Sequence, residues 1–403
     1  MADGDAAHVI VGGGQAGAWI ARTLRSEGFN GPVVLIGEER LLPYERPPLS
    51  KSVLLGVAAA GDGVLLTEAQ AHALRINVQL NRKVVQIDRT RQAITCSDGA
   101  VIVYAALFLT TGSRPRRLPD ADRLDPARVH YLRTQDDAQR LKAALVPGRR
   151  LAVLGGGWIG LEVAATARSL GAQVTVLEAG ERVCSRSAPA VVSHYLQALH
   201  RDRGVDLRTA CTVSGVTTSA EVRLDLADGR TVTADEILVG IGVHPNVELG
   251  ADCGLELDNG VVVDATGRTS DPYIFAAGDV TSRFCRFARR RVRLESFANA
   301  QSQAVVAAKA ALGQTASYDE VPWLWSDQYS ANIQMVGYPD QAETVLRRGY
   351  PEAGSGCWLL LNAAGEPVGA VAVNAPRELR EVRKALQAAT PIDRGPWLAL
   401  DHA

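Results

Sequence analysis

The sequence predicts an α/β protein built from two doubly wound, Rossmann-like nucleotide-binding domains and a C-terminal α+β domain with an antiparallel sheet. Three observations predict it. A β-branched strand runs into a glycine turn twice, as Ala7–Val11 into Gly12-Gly13-Gly14-Gln15-Ala16-Gly17 and as Arg150–Leu154 into Gly155-Gly156-Gly157-Trp158-Ile159-Gly160. Each turn opens an Ala/Leu-rich helical stretch and then a second apolar strand with an acid at its end, Glu38 after Val33–Ile36 and Glu178 after 174–177. After about residue 320 the pattern becomes short strands divided by Gly, Pro and Asp.

The first glycine of such a turn permits the tight bend after the strand. The second lets backbone approach a pyrophosphate, and the third lets helix and strand pack closely. The helix N-terminus then offers free N–H groups and the positive end of its dipole to the phosphates. The acid at the end of the second strand accepts hydrogen bonds from a ribose hydroxyl. Both copies meet every part of this description, so the chain is read as holding two dinucleotides. A protein that holds two most simply passes a hydride between them.

Between the two turns, 83–88 and 92–96 alternate as short antiparallel strands around Arg89-Thr90-Arg91. The apolar runs 104–109 and 236–241 each enter a Gly-x-x-Pro segment, at Gly112 and at Gly242, where the chain is expected to leave one domain for another. The expected division is 1–113 with 242–320, then 114–241, then 321–403. A further strand, 273–276, leads into Ala277-Gly278-Asp279; an acid there is suited to capping a following helix or to a ligand role. Beyond 320, strands are expected at 333–336, 344–348, 358–361 and 368–373, with a terminal helix over 377–389 that starts at Pro376.

Bulk composition narrows the class. With 403 residues, 22% charged and a net charge of −1, the chain lacks the basic excess that nucleic acid or an anionic membrane would attract. It has no apolar run of transmembrane length, and Met1-Ala2-Asp3-Gly4-Asp5 has no basic-then-apolar export pattern, so a cytoplasmic protein is expected. The six cysteines are isolated, with no vicinal redox pair and no metal-ligand spacing, so no metal is expected. None of the seven histidines falls in a catalytic or metal pattern.

Taken together, certain segments resemble the FAD-dependent, NADH-linked ferredoxin reductases (putidaredoxin reductase-like) that serve bacterial ring-hydroxylating dioxygenases and haem-thiolate monooxygenases. They are Tyr44-Glu45-Arg46-Pro47-Pro48-Leu49-Ser50-Lys51, Leu132-Arg133-Thr134, 155–165, Val239-Gly240-Ile241-Gly242, Ala277-Gly278-Asp279, 293–300 and 322–329. The resemblance implies a glutathione reductase-like fold and a division of labour. FAD would lie on the first turn, at Gly12, Gly14, Gln15, Ala16 and Gly17, with Glu38 on its ribose. Arg46, Lys51, Val84, Thr111, Gly112, Arg133, Phe297 and Trp325 would contact it, and Asp279 would bond its ribitol chain. NADH would lie on Gly155, Gly157, Trp158, Ile159 and Gly160, with Glu178 on its ribose, Gly242 nearby and Glu162 toward the nicotinamide. Lys51 and Glu162 would be the groups closest to the chemistry, Lys51 as a cation stabilising the charge that builds up on reduction.

A carboxylate at Glu178 favours NADH, because it would repel the 2′-phosphate of NADPH, although Arg182 follows four residues later. The implied acceptor is a small, acidic [2Fe–2S] ferredoxin. Residues 283–293 hold six arginines and no acid, and Arg283, Arg286, Arg289, Arg290 and Arg291 are the expected docking set. Two other readings stay open: an NADH oxidase or rubredoxin reductase-type flavoprotein, and a flavin redox-signalling protein. The oxidase reading lacks the redox cysteine expected near Ser50-Lys51, and the signalling reading lacks long inserts.

Overall fold

The computed structural model describes residues 6–58 and 62–399. The N-terminal export reading and His402 lie outside the described residues. Contacts gather the chain into two compact units, one of Met1–Glu45, Gly61–Arg114 and His244–Pro322, the other of Arg46–Ala60, Pro115–Val243 and Trp323–Ala403. The last segment does not stand apart as its own body. Its apolar residues Ile333, Trp358 and Val371 share one core with Leu161, Val176 and Leu196 of the second nucleotide fold.

In the first unit, Ile76–Gln79, Val33–Ile36, Ala7–Val11 and Val101–Leu109 form a parallel sheet, and Ile274–Ala276 adds to the far side of Val101–Leu109. The long strand exists because 101–109 alternates in its exposed half and then becomes wholly apolar where both of its faces are buried. Its start also pairs antiparallel with Ala93–Cys96, which pairs with Val84–Asp88, as the alternation predicts. Helix Gln15–Ser26 packs against helix Phe297–Ala311, whose Ala-rich face allows close approach. These elements bring the ends of Val11, Ile36 and Leu109 into register at one edge, directly before the first glycine turn.

The second unit repeats the plan with Asp206–Arg208, Gln173–Leu177, Arg150–Leu154, Glu236–Val239 and Val129–His130, all parallel. Three strands, Val213–Thr218, Val222–Leu226 and Thr231–Ala234, form a small antiparallel sheet beside it that the sequence reading did not anticipate. The C-terminal segment is an antiparallel sheet ordered Trp323–Gln328, Ala331–Gly337, Pro367–Val373, Ser355–Leu361, Thr344–Tyr350. Helix Pro376–Ala388 covers it, burying Leu379, Val382 and Leu386. Strand Trp323–Gln328 is an addition to the expected set.

Candidate active site

At the first turn, Gly12 has φ 122°, and a Cβ there would meet Thr110 O at 2.2 Å. A Cβ on Gly17 would meet Gly12 O at 2.1 Å, so helix and strand can approach only through glycine. Gly14 is different: a Cβ on it would meet nothing within 4 Å, leaving an open cradle at the N-terminus of Gln15–Ser26. Beside it, both polar atoms of the Gln15 amide are shielded from solvent and have no hydrogen-bond partner. Open space before free helix N–H groups, next to a buried amide in need of a partner, fits a pyrophosphate-bearing nucleotide.

Other predicted residues of this unit gather behind the same turn. Ser113 Oγ donates to Asp279 Oδ2 at 3.1 Å, while Gln303 Oε1 accepts from Gly278 N and Thr281 Oγ1, both at 2.9 Å. The segment after Asp279 is a strand, Thr281–Cys285, so the helix-cap alternative fails there. Thr111 and Asn246 exchange two hydrogen bonds of 2.8 Å, which shape the loop that holds Gly112 at φ 65°. Phe297 is the first residue of the helix capped by Ser296, and Val84 is buried. Glu38 stands at the sheet edge largely in solvent, paired with Lys83 at 3.3 Å.

The second turn has the same frame. Gly155 has φ 102° with a would-be Cβ 2.4 Å from Gly240 O, Gly160 a Cβ 2.2 Å from Gly155 O, and Gly157 open space. Glu178 lies over it, Oε2 accepting from Gly156 N at 2.6 Å and Oε1 from Gly180 N at 2.7 Å. Trp158 Nε1 donates to Ser187 Oγ at 2.9 Å, and Ile159 is exposed. Arg182 donates to Ala188 O, Ser193 Oγ and Ser185 O, so its guanidinium is tied to the segment that follows it. Gly242 has φ 102°, and its carbonyl accepts from Arg116 N at 2.9 Å.

At the start of the second turn of helix Trp158–Ser169, the structure brings together Lys51 and Glu162. Lys51 Nζ lies 2.6 Å from Glu162 Oε2, with side-chain exposures of 17% and 3%. Such a buried acid is tolerable only when its oxygens are satisfied. Ser50 Oγ donates to Oε2 at 2.5 Å and Ser326 Oγ to Oε1 at 2.6 Å. Thr166 Oγ1 anchors the Ser50 carbonyl at 2.8 Å. Arg46 Nη1 donates to the Arg133 carbonyl at 2.5 Å, tying the Pro-rich segment to the start of helix Gln135–Ala144. Trp325 stacks on Trp323, ring centroids 5.1 Å apart. Sequence reasoning gave Ser50 and Ser326 no role; the only signal was their place inside the quoted motifs.

The arginine-rich segment forms a hairpin, Thr281–Cys285 with Arg290–Val292. Arg283 does not belong to a docking face: it is 5% exposed, with its guanidinium 4.1 Å from the centre of the Tyr318 ring, because its strand position points inward. Arg289, Arg290 and Arg291 are exposed, as is Phe284 at 61%, while Arg286 pairs with Asp319 at 2.8 Å. All six cysteines are free, and five are buried. Among the described residues no helix is long and apolar enough to cross a membrane, and no group of three His, Cys, Asp or Glu is placed to hold a metal ion.

Comparison with known proteins agrees with this geometry. Residues 6–304 match the pyridine nucleotide-disulphide oxidoreductase family and 323–398 the reductase C-terminal family. The ferredoxin–NAD(+) reductase component of the anthranilate 1,2-dioxygenase system of Burkholderia cepacia is 44% identical over 94% of each chain. Putidaredoxin reductase CamA of Pseudomonas putida is 40% identical over 85% of this chain and 82% of its own. The reductase in the covalent putidaredoxin reductase–putidaredoxin complex superimposes with a TM-score of 0.92 at 36% identity, covering 97% of this chain and 95% of that one. A water-forming NADH oxidase from Lactobacillus brevis shares the fold alone, at 22% identity and a TM-score of 0.86 over 97% and 92% of the two chains. This chain therefore belongs to the pyridine nucleotide-disulphide oxidoreductase family, as an oxidoreductase that uses a flavin and a nicotinamide nucleotide.

Proposed function

We propose that the protein is an NADH:ferredoxin reductase, with FAD on the first glycine turn and NADH on the second, that delivers electrons to a [2Fe–2S] ferredoxin serving an oxygenase. One observation carries the reading: two open glycine cradles in one chain that has no pair of cysteines to take the electrons onward. A flavin supplies the conversion between a two-electron hydride donor and one-electron acceptors. The protein supplies the rest. Lys51, fixed by Glu162, presents a cation in a largely water-free setting, where it stabilises developing negative charge far more than it would in water. Glu178, held by two backbone N–H groups, offers its carboxylate to ribose hydroxyls and repels a 2′-phosphate, and Arg182 is spent elsewhere, so NADH is the nucleotide.

The domain assignment that goes with this reading is 1–113 with 242–320 for FAD, 114–241 for NADH, and 321–403 as a C-terminal domain that shares its core with the NADH domain. The FAD contacts of Arg46, Lys51, Val84, Arg133, Phe297 and Trp325 rest on the resemblance to ferredoxin reductases. The free thiols of all six cysteines suit the reducing cytoplasm. Anaerobic mixing with NADH should bleach the flavin, and oxidised [2Fe–2S] ferredoxin should then take the electrons. Reoxidation by oxygen or peroxide alone would replace ferredoxin as the acceptor; no bleaching would remove the cofactor assignment.

For the ferredoxin dock, the hairpin bearing Arg286, Arg289, Arg290 and Arg291 around exposed Phe284 is the face that suits an acidic partner. Replacing Arg289, Arg290 and Arg291 with Ala should lower kcat/KM for ferredoxin about tenfold at low salt and leave ferricyanide reduction unchanged. An unchanged ferredoxin rate would move the dock elsewhere.

A further inference from the structure

A buried row of polar side chains leads away from the Lys51–Glu162 pair, and the reaction as described uses none of it beyond the carboxylate. Ser326 Oγ donates to Glu162 Oε1 at 2.6 Å, and Gln328 Nε2 donates to Ser326 Oγ at 3.0 Å. His200 Nε2 lies 2.8 Å from Gln328 Oε1, and the Tyr329 hydroxyl 3.4 Å from His200 Nδ1. Ser326, Gln328 and His200 are 0%, 1% and 0% exposed. Three separate elements supply the row: helix Trp158–Ser169, strand Trp323–Gln328 and helix Ala190–Asp202, all in one compact unit. Ser326 and Gln328 share a strand face because they are two residues apart.

The donors and acceptors allow only one direction. A carboxylate can only accept, so Ser326 gives its proton to Glu162 and its oxygen must accept from the Gln328 amide. The amide carbonyl then faces His200, which must carry its proton on Nε2, leaving Nδ1 to accept from Tyr329. Burial lowers the pKa of His200, opposed by its bond to Gln328, which suits a neutral ring. Around the far end, the Arg203 guanidinium lies over the Tyr329 ring at 4.9 Å, Arg168 is the other nearby cation, and burial pushes Tyr329 up to about 12. Every proton in the row therefore points toward Glu162. A polar row this deep is costly unless each member is satisfied, and none of these side chains lacks a partner.

We propose that Ser326, Gln328 and His200 are positioning residues for hydride transfer: they fix the orientation of Glu162, and through it the Lys51 ammonium, so that the C-terminal sheet sets the geometry of the reactive pair. The inference rests on the assignment of Lys51 and Glu162 to that step. It also gives the C-terminal segment a part in the chemistry, separate from any part in docking.

The test uses the purified holoprotein and the variants Ser326→Ala and Ser326→Thr. Ser326→Ala removes the donor to Oε1 while Lys51 and Ser50 remain on Oε2; Ser326→Thr keeps a hydroxyl. Flavin reduction at saturating NADH should slow about tenfold in Ser326→Ala, with the NADH dissociation constant unchanged, and recover in Ser326→Thr. Nitrogen-15 NMR of histidine-labelled protein should find His200 as the Nε2–H tautomer, with its Nε2 resonance displaced in Ser326→Ala. Wild-type rates in Ser326→Ala, equal slowing in both variants, or a proton on Nδ1 would each overturn the inference. Wild-type protein that NADH does not bleach would overturn the functional reading instead.

Discussion

At Gly12 and Gly155 the backbone takes φ of 122° and 102°, and a side chain at either would strike a carbonyl at 2.2 or 2.4 Å. At Gly17 and Gly160 the corresponding distances are 2.1 and 2.2 Å, and both Gly14 and Gly157 face open space. The two turns part company after that. The first is followed by Gln15, whose buried amide has no partner in the protein, and by Glu38, an exposed acid in a loose pair with Lys83. The second is followed by Trp158, already bonded to Ser187, and by Glu178, already clamped by Gly156 and Gly180. An unpartnered buried amide costs about 1–3 kcal/mol until something bonds it. On the proposed reading the first turn, which holds the flavin, is the one that gains stability from its ligand, as suits a resident cofactor. At the second, proposed for NADH, the side chains beside the turn already have their partners, as suits a nucleotide that must arrive and leave in every cycle.

The largest expected effect comes from the third glycine of each turn. Gly17→Ala forces a methyl group against the Gly12 carbonyl and should cost about 3 kcal/mol of stability, yielding protein with little or no bound flavin. Gly160→Ala imposes the same clash at the second turn, yet should yield protein that keeps its flavin colour and is no longer reduced by NADH at useful concentrations. Absorbance of the purified variants and reduction by NADH against dithionite separate the two. Loss of flavin from Gly160→Ala, or retention by Gly17→Ala, would exchange the roles of the turns.

Both turns were legible in the sequence because glycine, β-branched strand and terminal acid each answer a local steric or electrostatic demand, and local demands leave local traces. The strands at 344–348 and 368–373 were legible for the same reason, as was the terminal helix, each within a few residues of its observed ends. Strand Trp323–Gln328 escaped because the face that should read apolar carries Ser326 and Gln328, which are buried for their hydrogen bonds. The small sheet at 213–234 escaped because its first strand is half exposed and its alternation is weak. The hydroxyls around Glu162 could not be read: its partners Ser50 and Ser326 are 112 and 164 positions away, and nothing in a serine's neighbours announces such a contact. The docking arginines show the same limit, since a run of like charges does not say which member, here Arg283, turns inward.

A smaller effect is expected at the second glycine, and it sharpens the comparison. Gly14→Ala and Gly157→Ala place a methyl group where the protein itself has nothing within 4 Å. Each sits at a helix N-cap, where alanine is worse than glycine by less than about 1 kcal/mol, so thermal unfolding of the protein stripped of nucleotide should barely change. If the open space belongs to phosphates, Gly14→Ala should weaken flavin retention and Gly157→Ala should raise the NADH dissociation constant, each about tenfold. Unchanged binding in both would mean that the cradles are incidental and that the nucleotides are held elsewhere.

The smallest effect, at Glu38, comes from a comparison of the two acids. Glu178→Gln replaces one accepting oxygen with an amide that cannot accept from both Gly156 N and Gly180 N, so one backbone donor loses its partner and the side chain is no longer held over the turn. NADH binding should weaken about tenfold, and discrimination against NADPH should shrink because the repulsive charge is gone. Glu38→Gln loosens an ion pair with 60% and 69% of its side chains exposed and keeps an amide oxygen that can accept from a ribose hydroxyl, so flavin affinity should change by less than about threefold. Titrations of the two variants, run side by side, set the scale. An equal loss at both positions would mean that Glu38 is clamped by its nucleotide as firmly as Glu178 is by the backbone, and the contrast between a turn completed by its ligand and one completed by the protein would not extend to the ribose.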